Sequence, residues 1–288
     1  MKKDKVSVLF ALPGGIIYTV LLVIPIVLAL AISFTQWNGI SQIKFIGIEN
    51  YIRLFSDSRL SNAVSNTAII TVVIVIIVNV FGLLLAMLLN QAGKRSNIFR
   101  TMFFLPVVLS AVAVSFIWKS ILSYTGVYNN LLESLGLVGW INNYFGSRTG
   151  ALVCICIVEV WRALGFHMVL YLAALQTVPQ ELYEACIVDG GNAWDKFKSV
   201  TMPLIVPGAT VSILMSIINE LRVYDVIKIM TDGGPGYDTE SIVYNIVARG
   251  FGNNQMGYSS AIAVALFIVI GSISVFVMNR SSKLEVEL

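Results

Sequence analysis

Six long apolar runs, almost free of charge, dictate what this chain can fold into. Val6–Ile43, Leu60–Gly93, Thr101–Trp118, Ser199–Asn219 and Gly250–Asn279 contain no Asp, Glu, Lys or Arg, and Thr149–Gln180 contains only Glu159 and Arg162. A helix needs about 20 apolar residues to cross the bilayer core, and these runs are of that order. They lack the alternation of barrel strands and are too long for them. Helical spans are therefore predicted near 10–34, 65–90, 99–122, 150–175, 203–228 and 258–279. The expected fold is an all-α integral membrane protein of six spans. Only 12% of the residues are charged, where a soluble domain has about a quarter.

The first run follows Lys2, Lys3 and Lys5 and contains Ala29-Leu30-Ala31, which fits a signal-peptide cleavage pattern. Its apolar stretch exceeds the roughly 7–15 residues of a signal h-region, so it is expected to remain as the first span. With six spans both termini share one side. That side would hold ten basic residues, Lys2, Lys3, Lys5, Lys94, Arg95, Arg100, Lys196, Lys198, Arg280 and Lys283, against five on the other, Lys44, Arg53, Arg59, Arg148 and Arg249. The bias predicts both termini in the cytoplasm of a bacterial-type cell membrane. The net charge of +3 records this topology and implies no nucleic acid.

Catalysis finds little support. Cys154 and Cys156, two apart on a helix, point to different faces, and Cys186 stands alone, so all three read as small apolar filler. His167 is the single histidine, and no metal site is expected. There is no GxxxxGK[ST] phosphate loop and no convincing catalytic constellation. The chain is read as a non-enzyme with no cofactor.

The polar interruption between the fourth and fifth runs, about 179–207, is the informative segment. Pro179 ends the fourth span. Glu181–Val188 reads as a short helix, with Leu182, Ala185, Cys186 and Asp189 forming a small-residue face. Gly190-Gly191 stops it. A second helix over Ala193–Val200 places Trp194, Phe197 and Val200 on one side, and Pro203 and Pro207 mark the entry to the fifth span. Such a hairpin either docks a protein partner or lies on lipid. Its four acids and two lysines fit a partner better than the basic face an interfacial helix uses.

Glu184-Ala185-Cys186, followed by Gly190 and Pro203, resembles the EAA loop of binding-protein-dependent ABC importer permeases. ELYEA at Glu181–Ala185, DGG at Asp189–Gly191, and Phe197, Pro203, Leu204 and Pro207 extend the resemblance. The sugar-permease branch, of the maltose and glycerol-phosphate importer type, is similar along nearly the whole chain. Matching segments are Ser33-Phe34-Thr35 with Trp37-Asn38, Gly47–Tyr51, Phe99-Arg100 with Phe104-Leu105-Pro106, Trp161 with Gly165-Phe166, Leu172–Gln176 and Thr231–Gly236. Departures are Cys186 and Gly191 at positions usually alanine, Asp232 for a glycine, His167 for an asparagine, and the extra acids Glu159 and Glu220.

The resemblance implies a type I ABC importer permease. Its coupling helix, carrying Glu184, Ala185, Cys186, Asp189, Gly190 and Gly191 with Phe197 and Pro203, would dock on a cytoplasmic ATPase dimer. The second permease subunit would make a heterodimer in the lipid bilayer. An extracytoplasmic solute-binding protein would deliver a sugar or oligosaccharide. Its contacts are expected at Asp232, Gly233, Gly234, Pro235 and Gly236, a turn that needs no core. The permease domain is placed at 62–279, after an N-terminal segment 1–61 and before a tail 280–288. A permease for an amino acid, an ATPase-independent transporter and a solute-free membrane scaffold are the alternatives.

Charges inside spans are costly and usually face the bundle interior or a wet cavity. Glu159 and Arg162 are i, i+3 neighbours expected to pair, and Arg222 and Asp225 have the same spacing. These four, with His167, Glu220 and the aromatic hydroxyls Tyr171 and Tyr224, are the substrate-pathway candidates. A structural role for the charged pairs remains the competing reading. Asn79 is expected to join helices.

Overall fold

The computed structural model describes Phe10 and residues 12–91 and 96–283. Lys2, Lys3, Lys5, Lys94 and Arg95, on which half of the charge asymmetry rests, lie outside the described residues, as does the end of the tail. Among the described residues, five helices are long and apolar enough to cross a membrane, or six if one bent pair counts as a single span. The chain divides into two compact units, residues 1–60 with 245–269, and residues 61–244 with 270–288.

In the first unit, helix α1 (Leu12–Ser33) exposes apolar side chains over its whole length. A two-residue antiparallel pair follows, β1 (Thr35–Gln36) with β2 (Lys44–Phe45), in the register Thr35 to Phe45. Helix α2 (Glu49–Leu54) is tied to the end of α1 by buried Asn50, whose Nδ2 donates to the carbonyls of Ser33 and Thr35 at 2.8 and 2.9 Å. Asp57 anchors the rest. It pairs with Arg249 at 2.6 Å and accepts the Tyr258 hydroxyl at 2.8 Å. Burial opposes the Asp57 carboxylate, but the Tyr258 hydroxyl, the Leu60 amide and the Arg249 and Arg53 guanidiniums outweigh it and hold its pKa below the usual value. Tyr258 therefore sits buried in a polar cluster.

The second unit is a bundle around the long helix α7 (Arg148–Gln176). Most of α3 (Ser58–Gln91) belongs to it. Next come α4 (Ser96–Val108), α5 (Ala111–Leu122) and α6 (Val127–Ser134). After α7 the chain forms α8 (Gln180–Val188), α9 (Ala193–Lys196), a wide turn over Phe197–Thr201 and a single turn Met202–Leu204. It then forms α10 (Val206–Leu221) and α11 (Asp225–Met230). Helices α12 (Ile242–Val247) and α13 (Met256–Ser281) complete the element order.

Two predicted spans are not continuous. The span expected over 99–122 breaks at Leu109–Ser110, where Ser110 is extended and the two halves meet at 94°. Pro106 lies inside the first half, three residues before the break; its missing N–H weakens the turn that precedes it and not the break itself. The span expected over 203–228 starts at Val206 and is interrupted at Arg222–Tyr224. Hydropathy does not register the first break, because its flanking residues stay apolar; the second falls among Glu220, Arg222 and Asp225, just past the charge-free run that ends at Asn219.

Small residues let the helices of this unit touch. A Cβ on Gly165 of α7 would stand 1.9 Å from the carbonyl oxygen of Phe103 in α4, and one on Gly208 of α10 would stand 2.4 Å from Ala174 Cβ. In lipid no hydrophobic force drives helix against helix, so such close approach supplies much of the association. A glycine-to-alanine change inside a helix ordinarily stabilises by about 1 kcal/mol. At Gly165 the sign should reverse, with a loss of roughly 1–3 kcal/mol in thermal unfolding of the detergent-solubilised protein. Gly139, with nothing within 4 Å of an added Cβ, should accept alanine without a fall in stability.

Candidate functional site

Three places carry the sequence-predicted residues. The first is the hairpin of α8 and α9. Helix α8 ends in a glycine cap: Gly191 N–H donates to the Cys186 carbonyl at 2.8 Å, Gly190 N–H donates to that of Ile187 at 3.0 Å, and Gly190 has φ +82°. This is the Schellman pattern, which needs a residue comfortable in the left-handed region. A Cβ on Gly191 would meet Cys186 Sγ at 2.6 Å and the Cys186 carbonyl oxygen at 2.8 Å. The two departures, cysteine at 186 and glycine at 191, thus fit each other. Helix α9 starts in a capping box: Asn192 Oδ1 accepts from Trp194 and Asp195 N–H, and Asp195 Oδ2 accepts from Asn192 N–H at 2.9 Å. The sequence reading missed it, although Asn-Ala-Trp-Asp is a variant of the Ser/Thr-x-x-Glu signal.

Nothing in α8 is buried. Glu184, Ala185 and Asp189 are exposed and Cys186 is half-buried. Val188 is 86% and Trp194 66% exposed, and Trp194 stacks at 5.5 Å on half-buried Phe197. Val200, expected on the same side, is instead buried, because the backbone widens over Phe197–Thr201 and rotates it inward. Pro203 lies in the single turn that precedes α10.

The second place is a cavity of about 440 Å³ in the second unit. Glu159, Arg162 and His167 of α7, Glu220 of α10, and Arg222, Tyr224 and Asp225 at the α10–α11 interruption all line it. Val107 and Ala111, flanking the α4–α5 break, line it too. Both helix breaks therefore border the cavity. Irregular backbone at membrane depth is tolerated where it lines such a space. Glu159 is 2% exposed and pairs with Arg162 at 2.6 Å, as its spacing predicts. Arg222 and Asp225 do not follow. The helix stops between them, and among the described residues no ion pair joins them. Sequence reasoning also missed Asn219 and Phe166, which complete the wall and have no charge to single them out.

Tyr171 is not at the cavity. Its hydroxyl donates to Asn79 Oδ1 at 2.9 Å, and Ser212 Oγ donates to the same oxygen at 2.7 Å. Asn79 Nδ2 donates to the Val75 carbonyl and to Ser216 Oγ. All four hydrogen-bonding positions of Asn79 are filled, joining α3, α7 and α10. His167 Nδ1 is 2.8 Å from Ser212 Oγ, so this residue belongs to both the network and the cavity wall.

The third place is the turn Asp232–Gly236. It was expected to be free of any core, and it is not. Asp232 pairs with Lys228 at 2.6 Å, and Tyr244 Oη donates to its backbone and side-chain oxygens. Those two partners hold the Asp232 pKa below its usual value. Gly233 is buried, and a Cβ there would meet Tyr244 and Glu240. Thr239 Oγ1 donates to the Gly234 carbonyl at 2.7 Å, while Pro235 is half-buried and Gly236 exposed.

The model of the family "Binding-protein-dependent transport system inner membrane component" matches residues 79–283. The chain belongs to this family. The "Probable starch degradation products transport system permease protein" of Thermoanaerobacterium thermosulfurigenes is 34% identical over 280 residues, 97% of this chain and 95% of that one. The "Multiple sugar-binding transport system permease protein" of Streptococcus mutans is 33% identical over 88% of this chain and 87% of that one. A chain in the crystal structure of a bacterial ABC transporter involved in import of the acidic polysaccharide alginate has the same fold, with a TM-score of 0.84 at 23% identity, covering 98% of this chain and 96% of that one. The binding-protein-dependent permease described here is thus a multi-pass membrane component of an importer.

In this permease the Glu159–Arg162 pair places a buried carboxylate against its cation. Arg162→Ala leaves a buried charge alone and should destabilise by about 3 kcal/mol, read as a fall in melting temperature. Adding Glu159→Gln should restore most of the loss, because no charge is then left unpaired.

Proposed function

We propose that this chain is one transmembrane subunit of an ATP-driven importer for a sugar or oligosaccharide, and that α8 is its coupling helix. The observation that carries the reading is the α8–α9 hairpin. Two caps make its backbone rigid, yet it buries none of α8 and leaves Val188 and Trp194 in the open. A rigid element with unsatisfied apolar surface fits a partner. The partner is a cytoplasmic ATPase dimer, which supplies the nucleotide site. Closure of that dimer moves the hairpins, and the cavity bordered by the two helix breaks passes the cargo. A second, different permease subunit completes the pathway. An extracytoplasmic binding protein delivers the cargo, with the pinned turn Asp232–Gly236 on its side. Residues 62–279 are the transport unit. Relatives named for starch degradation products and for multiple sugars support a carbohydrate cargo.

Ala185→Trp, Gly190→Val and Glu184→Lys test the coupling assignment. Each should abolish uptake while the permease still inserts, and Ala185→Trp should also release the ATPase on mild detergent washing. Parental uptake in all three, with the ATPase retained, would exclude α8 as the coupling element.

Orientation is tested by thiol labelling in a cysteine-free background. Ser134 and Lys198 are both exposed, and neither is a helix cap as Ser147 and Asn192 are. A cysteine at 134 should react with an impermeant reagent added outside intact cells, and one at 198 should react only after permeabilisation. The opposite pattern would place the hairpin outside, away from any ATPase.

A further inference from the structure

A pocket of about 410 Å³ lies within the first unit, walled by the β1–β2 hairpin, helix α2 and the start of α13. Lys44 and Arg53 line it, and no Asp or Glu does. The acid of the neighbouring cluster is already taken. Asp57 pairs with Arg249 at 2.6 Å and accepts the Tyr258 hydroxyl at 2.8 Å. Arg53 is left with a neutral acceptor, Gln255 Oε1 at 3.3 Å, and with the Tyr258 ring, whose centre is 4.1 Å from its guanidinium. Stacking on a ring orients an arginine without engaging the donors in its plane. Lys44 is exposed and has no hydrogen bond or ion pair among the described residues. The side-chain amides of Gln42 and Asn254, also on the wall, are likewise unengaged among them. The hairpin itself is held in shape. Trp37 Nε1 donates to the Ser41 carbonyl at 3.0 Å, and Asn38 Oδ1 accepts from the Ile40 and Ser41 N–H groups at 3.0 and 2.7 Å. The pocket is thus a preformed space with two positive charges, open amide donors and no anion of its own.

Those groups select a carboxylate. A guanidinium fork matches its two oxygens, and an ammonium with amide N–H groups can satisfy the remaining lone pairs. A lipid headgroup would bring its acyl chains with it, yet no Leu, Ile, Val or Met lines the pocket among the described residues. A protein surface fits better. The same hairpin holds Ile40 90% and Phe45 75% exposed, apolar surface of the kind a protein partner covers. Resting on the function proposed above, we propose that this pocket seats an Asp or Glu side chain of the extracytoplasmic binding protein. In the six-span topology both cations stand on the side opposite the α8–α9 hairpin, where that protein arrives. The ion pair sets the register of the binding protein on the first unit and speeds its encounter.

The test uses the assembled importer in nanodiscs and the purified solute-binding protein that stimulates its ATP hydrolysis. The quantity read is the concentration of that protein giving half-maximal stimulation. Lys44→Gln should raise it about threefold, within the range of an exposed ion pair, and should melt at the parent temperature, because Lys44 has no partner to lose. Arg53→Gln should raise it roughly tenfold, the scale of a hydrogen bond to a charged group. Both variants should respond less to added salt than the parent does. A photo-crosslinking amino acid at Gln42 should join the binding protein beside an Asp or Glu. Replacing that acid with lysine should weaken stimulation of the parent and restore stimulation of Lys44→Glu, which a merely structural role for Lys44 would not do. Parental half-saturation in both glutamine variants, or no restoration by the charge swap, would overturn the proposal and leave the importer reading intact. Variant effects present with phosphatidylglycerol in the nanodisc and absent in pure phosphatidylcholine would assign the pocket to a lipid headgroup and overturn it as well. Failure of every solute-binding protein encoded beside the permease gene to stimulate the parent would overturn the importer reading itself.

Discussion

Hydrocarbon offers a polar side chain no partner, so each one placed in a span must find its partner on the protein. In this permease that constraint converges on α7. Its Glu159 is held by Arg162, and its Tyr171 and His167 join the network around Asn79 and Ser212. The network fixes where α3 and α10 lie against α7, and Gly82 and Gly208 let them come close enough. With that scaffold fixed, the chain can tolerate two broken helices, because residues flanking each break line the cavity. Among the described residues the rule is escaped by the buried Thr71 Oγ1 in α3 and by Oε2 of Glu220, a residue of the cavity wall.

Stability and function are thus divided between neighbouring residues. The Asn79 network is fully satisfied and rigid, as a buried polar cluster must be if it is to specify one arrangement. The cavity next to it keeps Arg222 and Asp225 exposed. At the far end of α7 the α8–α9 hairpin follows the same division. Its backbone is closed by a glycine cap and a capping box, while Glu184, Ala185, Val188 and Trp194 stay exposed. A rod with fixed ends and an open face can transmit a displacement, whereas a fully buried or a frayed one cannot.

The sequence made the hairpin legible because its signals are local. Pro179, the Gly190-Gly191 pair and the polar composition each act within a few residues, and helix α8 starts within one residue of its expected position. Seven pathway candidates line one cavity, and five of them, Glu159, Arg162, Glu220, Arg222 and Asp225, were legible because charge in or beside an apolar run is itself the signal. What failed depended on partners distant in the chain. Tyr171 looked like a cavity aromatic, but its partner Asn79 lies 92 residues away. The Gly-rich turn looked free, but Tyr244 and Glu240 pack on it. The break at Ser110 was invisible for another reason. Hydropathy measures the cost of leaving water and is blind to backbone direction.

The central claim is that α8 is the surface on which an ATPase acts. Placing a photo-crosslinking amino acid at Val188, the most exposed large apolar residue of α8, tests it most directly. The account predicts a crosslink from position 188 to a subunit whose crosslinked peptides come from a protein with a GxxxxGK[ST] phosphate loop, in a yield that changes when ATP is added. Crosslinking to lipid alone, or to the same subunit in a yield indifferent to ATP, would contradict it.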